Sequence, residues 1–292
     1  MKNKNKKKNK NMNKNELEIS FEFFPPNTND KIKELLNLVK TLYKKINITF
    51  CSITFGAGGS NKKNTLEVIK TIKKNNIECV PHLACISNSK NEIIQLIKMY
   101  KNIGIKTILA LRGDINKTDN IKTITNNFIN SLDLLTLINK KFYKKFALIV
   151  SAYPEMHPNT INFDKEVCFI IKKFLFGANK AITQYFYDPD SYFYFLEKII
   201  KYGVEQPIIP GIMPIINVKN LIKFSKKCGA NIPKWIYKKL ESCKTDNDIE
   251  NIGKEIVINL CEILIKGGAQ GLHFYTLNKI EPTLNILNEL IT

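Results

Sequence analysis

Eight times between residues 17 and 279 the chain enters a short run of apolar, β-branched or aromatic residues, and a longer Lys- and Glu-dotted stretch follows each. In order, the runs are "LEISFEFFPP", "NITFCSITFGAGGS", "ECVPHLAC", "TILALRGD", "FALIVSAYPE", "KAITQYFYD", "PIIPGIMPI" and "GLHFYTLNK". Their apolar residues are nearly continuous, as in parallel strands covered on both faces. The intervening stretches predict helices near 29–44, 63–75, 89–102, 121–140, 163–176, 190–202 and 218–227. In "SKNEIIQLIKMYKNIG", Ser87 or Ser89 can cap, Ile93, Ile94, Ile97 and Met99 form an apolar stripe, and Gly104 stops the helix. Two added helices, "IPKWIYKKLES" and "NDIENIGKEIVINLCEILIKGGA", precede the last strand, and "EPTLNILNELIT" follows it with Pro282 in its first turn.

Eight repeats without an internal linker predict a closed (β/α)8 TIM barrel over residues 16–292, one α/β domain with extra helices between strands seven and eight. The rival is an open doubly wound sheet. Its first turn would carry G-x-G-x-x-G, whereas this chain has "GAGGSN". Residues 1–15 read separately, as a disordered Lys/Asn-rich arm.

A chain of 292 residues can bury roughly three quarters of its extended surface, so it needs no disulfide to build a core. The net charge of +19 raises the possibility of nucleic-acid binding, but seven lysines lie in the first fourteen residues, leaving +12 (19 minus 7) for the rest. That remainder is spread over helical surfaces without an Arg–aromatic stripe, so no nucleic-acid partner is expected. The seven cysteines show no C-x-x-C spacing and read as reduced residues in a cytoplasmic protein. No apolar run is long enough to span a membrane.

In a barrel, chemistry collects where the C-terminal ends of the strands converge. Reading along those ends gives Glu22, Thr54, His82, Asp114, then Tyr153, Glu155 and His157, then Gln184 and Asp188, and finally His273, Tyr275 and Lys279. Alternation in "SFEFF" turns Glu22 away from Phe21 and Phe23, into the mouth, where a carboxyl is costly unless paired or facing a ligand. The others keep a second reading: His82 as an internal hydrogen bonder, Asp114 as a cap, Gln184 as a satisfied core amide. Lys172 and Lys173 with His157 could neutralise a phosphate, or could simply be a charged pair on an outer helix. The three histidines are too dispersed for a zinc site, and no metal is expected. Arg112 is the one arginine among 45 basic residues, and its planar fork offers geometry that an ammonium lacks.

The strings "SFEFFPP", "PHLAC", "ALRGD", "AYPEMHP", "GANKAITQYFYD", "IIPGIMPI" and "HFYTLNK", in that order from residue 17 to the end, resemble the bacterial 5,10-methylenetetrahydrofolate reductases. The resemblance implies a barrel holding FAD, reduced by NADH, with methylenetetrahydrofolate then taking the nicotinamide's place in a ping-pong cycle that yields 5-methyltetrahydrofolate for methionine synthesis. It implies Glu22 as the acid that protonates folate N10, and Asp114 as the carboxylate supporting the developing cation. Gln184, Asn220, Phe224 and Lys279 fall on the substrate side. Thr54, Phe55, Ala57, His82, Arg112, Gly113, Asp114, Ser131, Tyr153, His157, Glu166, Phe169, Lys172 and Lys173 fall on the cofactor side. Relatives tend to read D-x-x-N-L-K-R-K where this chain has "EVCFIIKK", so Glu166 and Phe169 depart from the pattern and the adenosine end of FAD is expected to be held differently. A homotetramer of barrels is also implied.

Overall fold

The computed structural model describes residues 17–55, 62–86, 88–113 and 128–291. The eight runs become eight parallel strands that close in chain order: β1 Glu18–Phe23, β2 Phe50–Ile53, β3 Cys79–Ala84, β4 Thr107–Leu111, β5 Ala147–Ala152, β6 Lys180–Tyr185, β7 Ile208–Ile212 and β8 Gly271–Tyr275. The last strand pairs with the first, so the expected TIM barrel is what forms. Around it lie α1 Asn29–Lys45, α2 Lys62–Lys74, α3 Lys90–Ile103, α4 Ser131–Phe142, α5 Phe163–Leu175, α6 Pro189–Ile200 and α7 Val218–Cys228. Two further helices, α8 Lys234–Glu241 and α9 Asp246–Lys266, precede β8, and α10 Glu281–Ile291 closes the ring.

Local chemistry sets the helix starts. Ser89 caps α3 in a reciprocal box with Glu92, and Gly104 ends it in the left-handed conformation. The buried stripe of α3 is Ile93, Ile97 and Tyr100. Met99, expected in that stripe, is 45% exposed, because it lies about 240° around the helix from Ile93. Asn130 starts α4 with a box to Asp133, so the described helix begins ten residues beyond the expected start at 121; residues 121–127 and Ser87 lie outside the described residues.

Alternation along the strands divides the core into two shells. Phe21, Phe23, Ile53, Leu83 and Phe274 pack outward, under the helices. Phe50, Val80, Leu109, Ile149, Ile182 and Ile209, one from each of β2 to β7, fill the interior. At this level β1 and β8 instead present Ser20 and His273, which stand in register with each other, and Ser20 with Phe50. Lower in the barrel Lys180 Nζ donates to Glu18 at 2.6 Å, pairing two interior charges. The apolar interior is therefore interrupted by a polar strip on β1 and β8, and Glu22 stands at its upper end. Among the described residues no helix is long and apolar enough to cross a membrane.

Candidate active site

Glu22 occupies the mouth as alternation requires, with its neighbours Phe21 and Phe23 fully buried in the outer shell. Its side chain is 14% exposed, and Oε2 stands 3.4 Å from His82 Nε2 and 4.0 Å from His273 Nε2. His273 is held from below: its Nδ1 lies 2.8 Å from Ser20 Oγ, its ring stacks on Phe50, and Tyr275 meets it edge-on. When Ser20 donates to Nδ1, the Nε2 proton of His273 faces the carboxylate. Burial lowers the pKa of His82, the Glu22 carboxylate opposes that shift, and His273 adds to it. A lowered pKa leaves the His82 imidazole largely uncharged, so it does not lock Glu22 into a permanent ion pair.

The β1 backbone is clamped at the same place. Thr276 Oγ1 donates to the Glu22 carbonyl at 2.7 Å, and Asn278 exchanges two hydrogen bonds with the Phe24 backbone. Sequence reasoning named neither Ser20 nor Thr276 as part of this site. The signal for Ser20 was available, since it shares the inward face of β1 with Glu22. Thr276 gave no such sign, because its partner lies 254 residues away.

Around the rim, Thr54 Oγ1 and the Nε2 atoms of His82 and His273 are buried without a hydrogen-bond partner among the described residues. Orphaned buried polar atoms are costly, and two of these three face the Glu22 carboxylate, His82 at 3.4 Å and His273 at 4.0 Å. Phe55 is half-buried beside Thr54. Arg112 is half-buried at the end of β4, with Nε donating to the Gly113 carbonyl at 3.3 Å. Gly113 has φ +86, and a Cβ there would stand 2.8 Å from the Ala84 Cβ, so both its conformation and its packing require glycine. Ala57 and Asp114 lie outside the described residues.

In the loop after β5 Tyr153 and His157 meet edge to face, with ring centroids 4.7 Å apart. Glu166 is buried, and its Oε2 accepts from the His157 backbone N–H at 3.2 Å and the Thr160 hydroxyl at 2.7 Å. Its first task is therefore to hold the loop that carries His157. The two lysines divide: Lys172 is exposed and Lys173 is buried, because neighbouring helical residues point about 100° apart. Lys173 Nζ donates to the Ser151 carbonyl at 2.6 Å and lies 4.8 Å from the centre of the Phe169 ring. Burial pulls its pKa down to about 8 even though Glu166 opposes the shift. Ser131 is buried in the first turn of α4.

Gln184 is half-buried on β6, where Thr183 and Gln184 together face the single β7 residue Pro210 between the pairs Ile182–Ile209 and Tyr185–Gly211. Such a bulge re-aims side chains near a strand end. Asp188 caps α6 through Asp190 N and the Ser191 hydroxyl. Asn220 is exposed in the first turn of α7, and Phe224, one turn later, is half-buried. Lys279 is exposed beyond β8. The described candidates thus gather at the strand-end mouth or on the helices beside it.

A family model described as methylenetetrahydrofolate reductase matches residues 7–291. The chain belongs to the methylenetetrahydrofolate reductase family. It is 39% identical over 270 residues to the 5,10-methylenetetrahydrofolate reductase of Buchnera aphidicola subsp. Schizaphis graminum, covering 91% of this chain and 89% of that relative. With the Escherichia coli (strain K12) protein of the same name it shares 34% identity over 273 residues, 93% of this chain and 90% of the relative. A solved Clostridium thermocellum protein that binds two copies of 5-methyl-5,6,7,8-tetrahydrofolic acid shares the fold, with a TM-score of 0.65 at 19% identity and 94% of each chain covered.

The chain is accordingly an oxidoreductase that reduces methylenetetrahydrofolate in one-carbon and methionine metabolism. Methylenetetrahydrofolate reductases use FAD and a reduced nicotinamide. The mouth suits a flavin, with unsatisfied polar atoms at Thr54 and His82, a strand end at Gly113 that admits no side chain, and a buried ammonium at Lys173. The Phe169 ring lies over the Lys173 ammonium and offers it no hydrogen bond.

Proposed function

We propose that this chain reduces 5,10-methylenetetrahydrofolate to 5-methyltetrahydrofolate with NADH as the electron source, and that Glu22 protonates the folate at N10. The observation that carries this reading is the Glu22 carboxyl at the barrel mouth, 3.4 Å from the His82 imidazole and 4.0 Å from that of His273. A carboxyl in that setting can hold a proton and release it to a nitrogen of the substrate. Proton transfer opens the five-membered ring and leaves a cation at the one-carbon unit, and Asp114 supplies the opposing charge. When bound, FAD would supply the two-electron carrier between the nicotinamide and that carbon.

Thr54, Phe55, Ala57, His82, Arg112, Gly113, Asp114, Ser131, Tyr153 and His157 would hold the flavin ring and its chain. Lys173 would meet the diphosphate, with Lys172, Glu166 and Phe169 toward the adenosine end. Gln184, Asn220, Phe224 and Lys279 would orient the nicotinamide and the folate in turn, which makes the cycle ping-pong.

The experiment is a flavin-bleaching assay. The purified protein is expected to be yellow, to lose its visible absorbance with NADH faster than with NADPH, and to regain it with methylenetetrahydrofolate. Glu22→Gln is expected to keep the NADH step and abolish the folate step. A colourless protein that takes up no FAD, or equal loss of both steps in the variant, contradicts the reading.

A further inference from the structure

Glu155 sits where electrostatics disfavours a carboxylate. It belongs to the loop after β5, two residues past Tyr153 and two before His157, yet its Oε2 leaves that loop and accepts the backbone N–H of Asn231 at 2.8 Å. Asn231 follows the C-terminal cap of α7 at Gly229, so the carboxylate stands near the negative end of a helix. Asp188, at the end of β6, repels it as well. Burial raises the Glu155 pKa to about 7, with Asp188 adding to the rise and the Asn231 N–H opposing it. Tyr153, Gln184, Tyr185 and Cys228 line the same narrow crevice of about 10 Å³.

Two further contacts fix α7, one to the β5 loop and one to β6. Gly229 lies so close to the β5 loop that a Cβ there would stand 2.6 Å from Pro158 Cγ. The Tyr185 and Ser225 hydroxyls are 3.1 Å apart, tying α7 to β6 next to Gln184. Helix α7 carries Phe224 and Asn220, whereas the β5 loop carries Tyr153 and His157.

We propose that Glu155 is a positioning residue, a latch that fixes the substrate-side helix α7 against the flavin-side loop after β5. The inference rests on the assignment of Phe224 and Asn220 to the substrate side. A site that admits two different ligands in succession needs a constant distance between its flavin wall and the helix covering the ligand. A carboxylate bonded to Asn231 sets that distance. Protonation near neutral pH weakens the bond, because a neutral acceptor holds an N–H less tightly than a charged one.

The test uses the flavin-loaded enzyme and the variants Glu155→Ala and Glu155→Gln. Loss of one charge-assisted hydrogen bond should raise the KM for methylenetetrahydrofolate roughly tenfold in Glu155→Ala. Flavin content, the rate of bleaching by NADH and kcat should stay within about twofold. Glu155→Gln keeps an acceptor and should recover most of the KM. In the unsubstituted enzyme KM should rise as pH falls through 7, and this step should be missing in Glu155→Gln. Hydrogen exchange over residues 225–235 should be faster in Glu155→Ala whether or not the protein turns over folate. Unchanged exchange and KM, with normal bleaching by NADH, overturn the latch and leave the reductase reading intact. Failure of bleaching with faster exchange sinks the reductase reading and leaves the latch. If Glu155→Ala does not fold, the pH comparison between the unsubstituted enzyme and Glu155→Gln decides alone, and identical pH profiles overturn the proposal.

Discussion

Lys173→Met separates what the barrel tolerates from what its ligand requires. Lys173 is 2% exposed, and among the described residues its ammonium makes one hydrogen bond, to the Ser151 carbonyl, with the Phe169 ring at 4.8 Å and the Tyr153 ring at 5.9 Å. Burial lowers its pKa from 10.5 to about 8. An unfolded chain keeps that proton up to 10.5, so between pH 8 and 10.5 the unfolded state binds more protons and native stability rises with pH. Below pH 8 the cost of the buried charge is present in full. The drop from 10.5 to about 8, at roughly 1.4 kcal/mol per pH unit, corresponds to about 3 kcal/mol. Methionine has similar bulk and no proton to lose. The measurement is urea unfolding of both flavin-free proteins at pH 7 and pH 10. The free-energy difference between them is expected to move by roughly 2 kcal/mol in favour of the lysine protein at the higher pH. If Lys173 meets the FAD diphosphate as proposed, saturating FAD should abolish that movement by compensating the ammonium, and Lys173→Met should retain FAD poorly. A difference that is the same at both pH values refutes the reasoning, because it would mean that the ammonium is solvated in the folded chain.

Other expectations concern the same wall. Gly113→Ala forces a side chain into a left-handed conformation 2.8 Å from the Ala84 Cβ, so it should cost about 2 kcal/mol, lower the melting temperature by several degrees and weaken FAD retention. Thermal melts with and without FAD check this. Phe169→Asn removes the ring over Lys173 and supplies an amide in its place; FAD titration followed by fluorescence should show tighter binding. Arg112→Lys keeps the charge but loses the planar fork, so FAD should dissociate faster on dialysis.

Most of the fold was legible because each element announces itself locally. Apolar runs of strand length, caps such as Ser89 and stops such as Gly104 lie within a few residues of the structure they make. Glu22 was legible for the same reason: a period of two places it opposite Phe21 and Phe23. Met99 was misjudged because its spacing from Ile93 fits no helical face. The split of Lys172 from Lys173 follows from helical phase once Lys173 is known to face inward, and only packing reveals that direction.

The amino-acid order alone determined eight parallel strands, a barrel mouth with a carboxyl in it, and the family resemblance carried by strand-end motifs. Tertiary structure decided the rest, since these interactions join residues far apart in sequence. Closure of β8 on β1 brings His273 to Ser20 and Glu22, and Thr276 to the Glu22 carbonyl. It also decided that Glu166 braces the His157 loop and that Lys173 is desolvated under Phe169. Hydrophobic period is a property of neighbours along the chain. The burial and pairing of a charge depend on the elements that close over it.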